Sequence, residues 1–211
     1  MTHFCPLCSN LANSYAEYKT THYLHCPNCH AVFMDEKDRP DNKAEKSRYE
    51  LHQNDLEDKN YQKFVSPITS AILTEFTKKS KGLDFGAGKE PIISKVLQDS
   101  GFNVFQYDPY FHNDEKLLQV EYDYIACCEV IEHFYNPHKE FLLLKKLLKP
   151  NAKLYCMTDL YDENRDFASW YYKNDATHVF FYHKKTFDWI REEFNFLEVV
   201  VNGRLITFTE K

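Results

Sequence analysis

The sequence predicts an α/β fold carrying a small extra module at its N-terminus, and three observations support this. A β-rich run at Lys81–Phe85 leads through Gly86 and Gly88 into a helix-like stretch at residues 91–101. Two more β-rich runs, around 196–200 and 205–208, flank Asn202 and Gly203, and two Cys-x-x-Cys pairs stand among the first 30 residues.

In chain order, the cysteine pairs come first. Cys5-Pro6-Leu7-Cys8 and Cys26-Pro27-Asn28-Cys29 are separated by residues 9–25, a spacing that suits a zinc ribbon in which each pair bends around a turn and aims two thiolates at one ion. Four cysteine ligands close the coordination shell, so such a Zn2+ would be structural, contributing about 10–16 kcal/mol to the folding of a segment that is otherwise too small. A thiol–disulfide redox pair is the alternative, but no thioredoxin-like pattern surrounds the cysteines. Cys127, Cys128 and Cys156 read as buried strand residues. The expected organisation is a ribbon at 1–34, a charged linker at 35–63 passing into a helix, and a catalytic domain at 64–211.

The catalytic domain opens with the strand ending in Asp84 and Phe85. Gly86, Ala87 and Gly88 then form a strand-to-helix turn, where glycine permits backbone angles that a Cβ forbids and lets a ligand approach the main chain. A P-loop is excluded, because Leu83 stands where its first glycine belongs and Glu90 follows Lys89. A dinucleotide fingerprint would need a small residue at Pro91. The next strand, Asn103–Tyr107, ends at Asp108 and Pro109, about 20 residues beyond the last glycine, which is the usual offset of a ribose-binding carboxylate. As Asp-Pro, the pair also reads as a simple turn. A third strand is expected at Tyr122–Cys128, followed by Glu129, Glu132 and His133 and by an apolar helix from Pro137 to Pro150. Asn202-Gly203 is the preferred pair for a two-residue type I′ hairpin turn.

The run Asp84-Phe85-Gly86-Ala87-Gly88 resembles motif I of the class I S-adenosylmethionine (SAM) methyltransferases. Glu129 to His133 resembles their post-strand-4 region, and Asp175, Thr177, His178 and Val179 resemble an Asp-x-Thr-His-Val element of one subfamily. The resemblance covers roughly residues 64–208. It implies a Rossmann-like, mostly parallel sheet closed by an antiparallel hairpin, with SAM as cofactor held by Asp84, Phe85, Gly86, Ala87, Gly88, Asp108, Pro109 and Glu129. Residues 48–54 with Tyr61 are similar to a segment of zinc-ribbon members of this group, which makes Tyr49, His52, Asn54 and Tyr61 lid candidates; a solvated helical face is the plain alternative.

Methyl transfer requires few catalytic side chains, since holding the partners in line can be worth about 7–11 kcal/mol. A hydroxyl acceptor must lose a proton, and His133 and His178 are the candidates to take it. Glu129, Glu132 and His133 would share a face if a helix began there. Their pattern resembles metal positions in ubiquinone-pathway and small-RNA O-methyltransferases, although the same pattern also occurs without a metal. Among the crowded aromatics of 167–182, Trp170 and Tyr171 are the candidates for a substrate pocket, with ordinary packing the alternative.

Composition sets further bounds. A net charge of −6, and only Glu17 and Lys19 charged within 1–34, disfavour nucleic acid and point to a small-molecule acceptor. No apolar run is long enough to span a membrane and no secretory signal is evident, so a cytoplasmic protein is expected. The oligomeric state is not encoded in any motif. Two other readings remain: a methyltransferase-like binding module without turnover, suggested by Lys89-Glu90 in the loop and by the short stretch 109–121, which leaves no adenine-contacting acid, and an RNA methyltransferase.

Overall fold

The computed structural model describes residues 2–50 and 55–211. In chain order its elements are β1 (His3–Phe4), β2 (Leu11–Tyr18), β3 (Thr21–His25), β4 (Val32–Met34), α1 (Asn42–Glu50), α2 (Lys59–Glu75), β5 (Lys81–Phe85), α3 (Ile92–Asp99), β6 (Asn103–Tyr107), β7 (Tyr122–Cys128), α4 (Pro137–Lys146), β8 (Leu148–Met157), β9 (Phe180–Phe181), α5 (Lys184–Glu193), β10 (Glu198–Asn202) and β11 (Leu205–Thr209). The larger sheet runs β10-β11-β8-β7-β5-β6. Its β6, β5, β7 and β8 are parallel, and the β10–β11 hairpin pairs antiparallel on β8. Strands buried on both faces, such as Leu83, Ile125 and Leu154, explain why these segments read as continuous apolar runs.

The cysteine module forms a second, wholly antiparallel sheet in the order β1-β2-β3-β4-β9. Its two cysteine turns are built alike. Cys5 N–H bonds the Asn10 carbonyl and Ser9 N–H bonds the Cys5 carbonyl; in the second turn Cys26 pairs with Ala31 and His30 with Cys26 in the same way. Ser9 and His30 hold matching left-handed backbone angles, φ 56 and 61. The fifth strand, β9, comes from far along the chain, beyond the main sheet's β8: Val32 pairs with Phe181 and Phe33 with Phe180. Cys5, Leu7, Cys26 and Cys29 also belong to the same buried cluster as Leu83, Ile125 and Phe208, so ribbon and main sheet share one core.

Three expectations about elements change. The helix expected to reach Pro150 ends at Lys146, because β8 begins at Leu148 and takes Pro150 and Asn151 (φ 63) into a bulge, where the register jumps from Tyr122–Leu148 to Tyr124–Lys153. Asn202 is a strand residue paired with Leu205, so the two-residue turn is Gly203-Arg204 rather than Asn202-Gly203. Only Gly203 has positive φ (58), which fits glycine at the first central position and excludes type I′. The junction expected at 63/64 falls inside α2. Among the described residues no helix is long and apolar enough to cross a membrane.

Candidate active site

A cavity of about 830 Å3 opens where the C-terminal ends of β5, β6 and β7 meet, and Asp84, Phe85, Gly86, Ala87, Gly88, Asp108, Pro109 and Glu129 all line it. Gly86 and Gly88 have φ +75 and +67, but they are glycine for different reasons. A Cβ on Gly86 would lie 2.4 Å from Val130, whereas one on Gly88 would meet nothing within 4 Å and would project into open space. One oxygen of Asp84 is spent within the fold: Oδ2 accepts hydrogen bonds from Ser94 N–H (3.1 Å) and Oγ (2.8 Å), tying the turn to α3. Burial pushes that carboxyl up to about 6, with the Ser94 bonds opposing the shift.

Asp108 knots the cofactor end together. Its Oδ2 accepts from Gly88 N–H at 3.0 Å, and its Oδ1 accepts from Tyr110 and Phe111 N–H at 2.8 and 3.1 Å. A carboxylate offers about four lone-pair sites, so three bonds leave room for roughly one ribose hydroxyl rather than two.

At the other end lie Glu132, His133 and His178, whose ligand-type atoms are within 4.8 Å of one another. The helix that would have put Glu129 on their face does not form. Only a 3-10 turn spans Ile131–His133, and Glu129 sits in a left-handed conformation (φ 52) with its Oε1 accepting from Arg204 Nη2 at 2.6 Å. His178 takes its place in the trio. His133 Nδ1 donates to the Thr177 carbonyl (2.9 Å) and His178 Nδ1 to the Tyr172 carbonyl (2.7 Å). Because a carbonyl can only accept, both neutral rings keep their basic lone pair on Nε2.

Glu132 is fully buried, and its Oε2 has no hydrogen-bond partner among the described residues. Burial, reinforced by the charge of Glu129, pushes its carboxyl up to about 8. The Tyr172 hydroxyl lies between the two acids, in a short contact with Glu132 Oε1 and 3.1 Å from Glu129 Oε2, with Thr158 Oγ1 also at 3.1 Å. One hydroxyl carries one proton, so a protonated Glu132 satisfies this arrangement better than two carboxylates would. The ribbon helps to fix the trio: Met34 N–H bonds the Val179 carbonyl and Val179 N–H bonds the Glu132 carbonyl, both at 2.9 Å. His178 is therefore stitched between β4 and the Glu132 turn.

The linker reaches the cavity at Glu45 and Tyr61. Tyr110 OH donates to Glu45 Oε2 at 3.0 Å on one side, and Arg48 donates to Asp175 Oδ2 at 3.1 and 2.8 Å on the other. Burial disfavours the Asp175 carboxylate, but hydrogen bonds from Thr177 and Arg48 outweigh this and hold its pKa well below the usual range. Tyr135 anchors the approach by donating to the Pro40 carbonyl at 2.7 Å. Of the lid candidates, Tyr61 lines the cavity; the Tyr49 side chain, His52 and Asn54 fall outside the described residues.

Neither aromatic pocket candidate reaches the cavity. Trp170 is buried with its Nε1 donating to Asp159 (2.9 Å), and Tyr171 is 60% exposed. Their neighbour Tyr172 is the one that meets Glu129 and Glu132, and nothing in the run Trp170-Tyr171-Tyr172 alone separates it. Arg204 was also missed; its signal lay in the hairpin turn, shifted by one residue.

The chain matches the methyltransferase domain family over residues 58–200 and belongs to that family. A direct search of curated protein sequences finds no match. Among solved structures, an O-methyltransferase family protein from Burkholderia thailandensis superposes with TM-score 0.53 at 12% identity, covering 78% of this chain and 61% of that one. A SAM-dependent methyltransferase from Archaeoglobus fulgidus gives 0.52 at 17% identity, covering 66% and 71%. Human N-acetylserotonin methyltransferase, solved in complex with SAM, gives 0.52 at 11% identity, covering 71% and 53%. These likenesses concern the fold, and this chain spans little more than half the length of the human and Burkholderia proteins. The cavity fits the cofactor: its volume is in the range of small-molecule sites, and the open space above Gly88 gives bare main chain to a ligand.

Proposed function

We propose that the chain methylates a small-molecule acceptor by in-line displacement, with His178 and His133 as proton acceptors and a structural zinc ion on Cys5, Cys8, Cys26 and Cys29. One observation carries this reading: a single cavity runs from the glycine loop to His133 and His178 beneath a linker tied down on both sides. A roofed site favours a compact acceptor over a polymer strand, and the net charge of −6 points the same way. When bound, SAM supplies an electrophilic methyl group on a sulfonium. Gly86 and Gly88 offer main chain to its amino-acid part, and Asp108 takes a ribose hydroxyl. An acceptor hydroxyl beside His178 Nε2 gives up its proton there, and the Tyr172 carbonyl holds the ring through Nδ1.

The zinc assignment rests on donor geometry. Cys5 and Cys29 sulfurs lie 3.6 Å apart and Cys8 and Cys26 sulfurs 3.3 Å apart, far beyond a disulfide bond of about 2.05 Å and near the spacing of thiolates that each reach one ion at about 2.3 Å. A second reading places a divalent ion on Glu132, His133 and His178, favoured by their 4.8 Å grouping. Transfer to the true acceptor that neither falls with EDTA in zinc-replete protein nor rises with magnesium would remove it.

The test of the main reading is incubation with methyl-labelled SAM and, separately, the small-molecule, nucleic-acid and protein fractions of a cell extract. Label is expected in the small-molecule fraction. Label confined to RNA or protein would overturn the acceptor class, and intact binding of S-adenosylhomocysteine without transfer to any fraction would favour a binding module.

A further inference from the structure

Tyr172 meets two members of the Glu132, His133 and His178 trio at once. Its hydroxyl lies against Glu132 and Thr158, and its carbonyl accepts from His178 Nδ1. The backbone that carries it is only a 3-10 turn, Tyr171–Asn174, whose entry at Trp170 makes no side-chain cap hydrogen bond. Turns of this kind have poor hydrogen-bond geometry of their own and keep one shape only with outside support. That support reaches the turn from the ribbon, through Lys173.

Lys173 is 3% exposed, and among the described residues no carboxylate forms an ion pair with it. Its Nζ donates to the Trp170 carbonyl and to Asn174 Oδ1, both at 3.2 Å, and stands 3.5 Å from the centre of the Tyr18 ring on β2. An ammonium has three N–H donors, and two oxygens and one ring face use all of them. Burial lowers its pKa; the charge of Asp166 opposes that shift, while Lys19, whose Nζ lies 5.4 Å from the same ring, adds to it. A methionine would fill the same space without the cost of taking a charge out of water. The cation therefore serves something other than stability: it draws the turn together at Trp170 and Asn174 and pins it to the ribbon at Tyr18.

We infer that Lys173 is a positioning residue for methyl transfer, through which strand β2 of the ribbon sets Tyr172 and, with it, Glu132 and His178. The inference rests on the proposed acceptor site, and the two can fail separately. The experiment compares the full chain with Lys173→Met, Tyr18→Leu, Tyr18→Phe and the double variant Lys173→Met/Tyr18→Leu. Four quantities are read: the Tyr172 signal in spectra of protein carrying 13Cζ-tyrosine, assigned by its loss in Tyr172→Phe; the melting temperature; S-adenosylhomocysteine affinity; and label passed from methyl-labelled SAM to the small-molecule fraction of a cell extract. Lys173→Met should melt no lower than the parent, as buried charges replaced by apolar groups commonly do, and should bind S-adenosylhomocysteine within about threefold. It should nevertheless move the Tyr172 signal and cut transfer roughly tenfold, the worth of a desolvated cation on a ring face. Tyr18→Leu should do the same, the double variant should do no more than either, and Tyr18→Phe, which keeps the ring face, should match the parent. If Lys173→Met does not fold, Tyr18→Leu set against Tyr18→Phe carries the same test. An unmoved Tyr172 signal, losses that add in the double variant, or transfer at the parent's level would each overturn the role of Lys173. No transfer by the parent, with the Tyr172 signal still moved in Lys173→Met, would overturn instead the reading of the acceptor site beneath it.

Discussion

At the cofactor end of the cavity, Gly86, Gly88 and Asp108 come from one β–α–β stretch and present mostly main chain and a pre-bonded carboxylate. Around the other end, Glu132, Thr158, Tyr172, His178 and Arg204 come from segments scattered over the C-terminal half and meet through side chains. A main-chain site is set by local backbone geometry. A side-chain site is only as good as the packing behind it, and here that packing includes the ribbon, through the Met34–Val179–Glu132 chain of hydrogen bonds.

The largest effect that would break this contrast comes from the cysteines. Zinc removal, or Cys26→Ser, should cut methyl transfer by roughly 100-fold or more, the worth of a positioned base. Affinity for S-adenosylhomocysteine should stay within about threefold, as independent sites allow. Elemental analysis and calorimetry check both halves, and an equal loss of binding and transfer would show that the two ends are one unit. Next comes Gly88→Val, expected to weaken S-adenosylhomocysteine at least about tenfold, with thermal stability near that of the parent apart from about 1–2 kcal/mol for a side chain at positive φ. Gly86→Val should instead lower the melting temperature sharply, because its Cβ would strike Val130.

A smaller effect sharpens the acceptor end. Glu132 has a folded pKa of about 8, raised from an ordinary 4.5, so its contribution to stability is fully present below about pH 4.5 and is lost as pH rises toward 8. Glu132→Gln cannot ionise. It should therefore gain several degrees in melting temperature over the parent between pH 5 and 8.5; a constant difference across that window would mean that the acid does not titrate there. The smallest effect is expected for Arg48→Ala, which frees one side of the linker. Its exposed arginine makes the pair worth about 0–1 kcal/mol of stability, so a few-fold rise in KM without a change in melting temperature is the expected signature.

The same contrast governs how much the sequence alone disclosed. The glycine turn, the approach of Asp108 to it and the grouping of the four cysteines were legible because each is written in a short spacing. The end of α4 was not, since β8 captures Leu148 and bulges at Pro150 for reasons of sheet pairing. Tyr172 was passed over for Trp170 and Tyr171, because composition cannot say which of three adjacent aromatics faces a buried acid. Arg204 entered the site only when the hairpin turn moved by one residue.

The strand shared between ribbon and catalytic part also has a consequence for biogenesis. On the ribosome, Val32–Met34 emerges long before Phe180–Phe181, so the nascent ribbon spends much of synthesis with an unpaired apolar strand at its border. Chaperone cover over that border would decide the yield of native protein, and transplanting the first 34 residues onto another protein would carry the same liability with them.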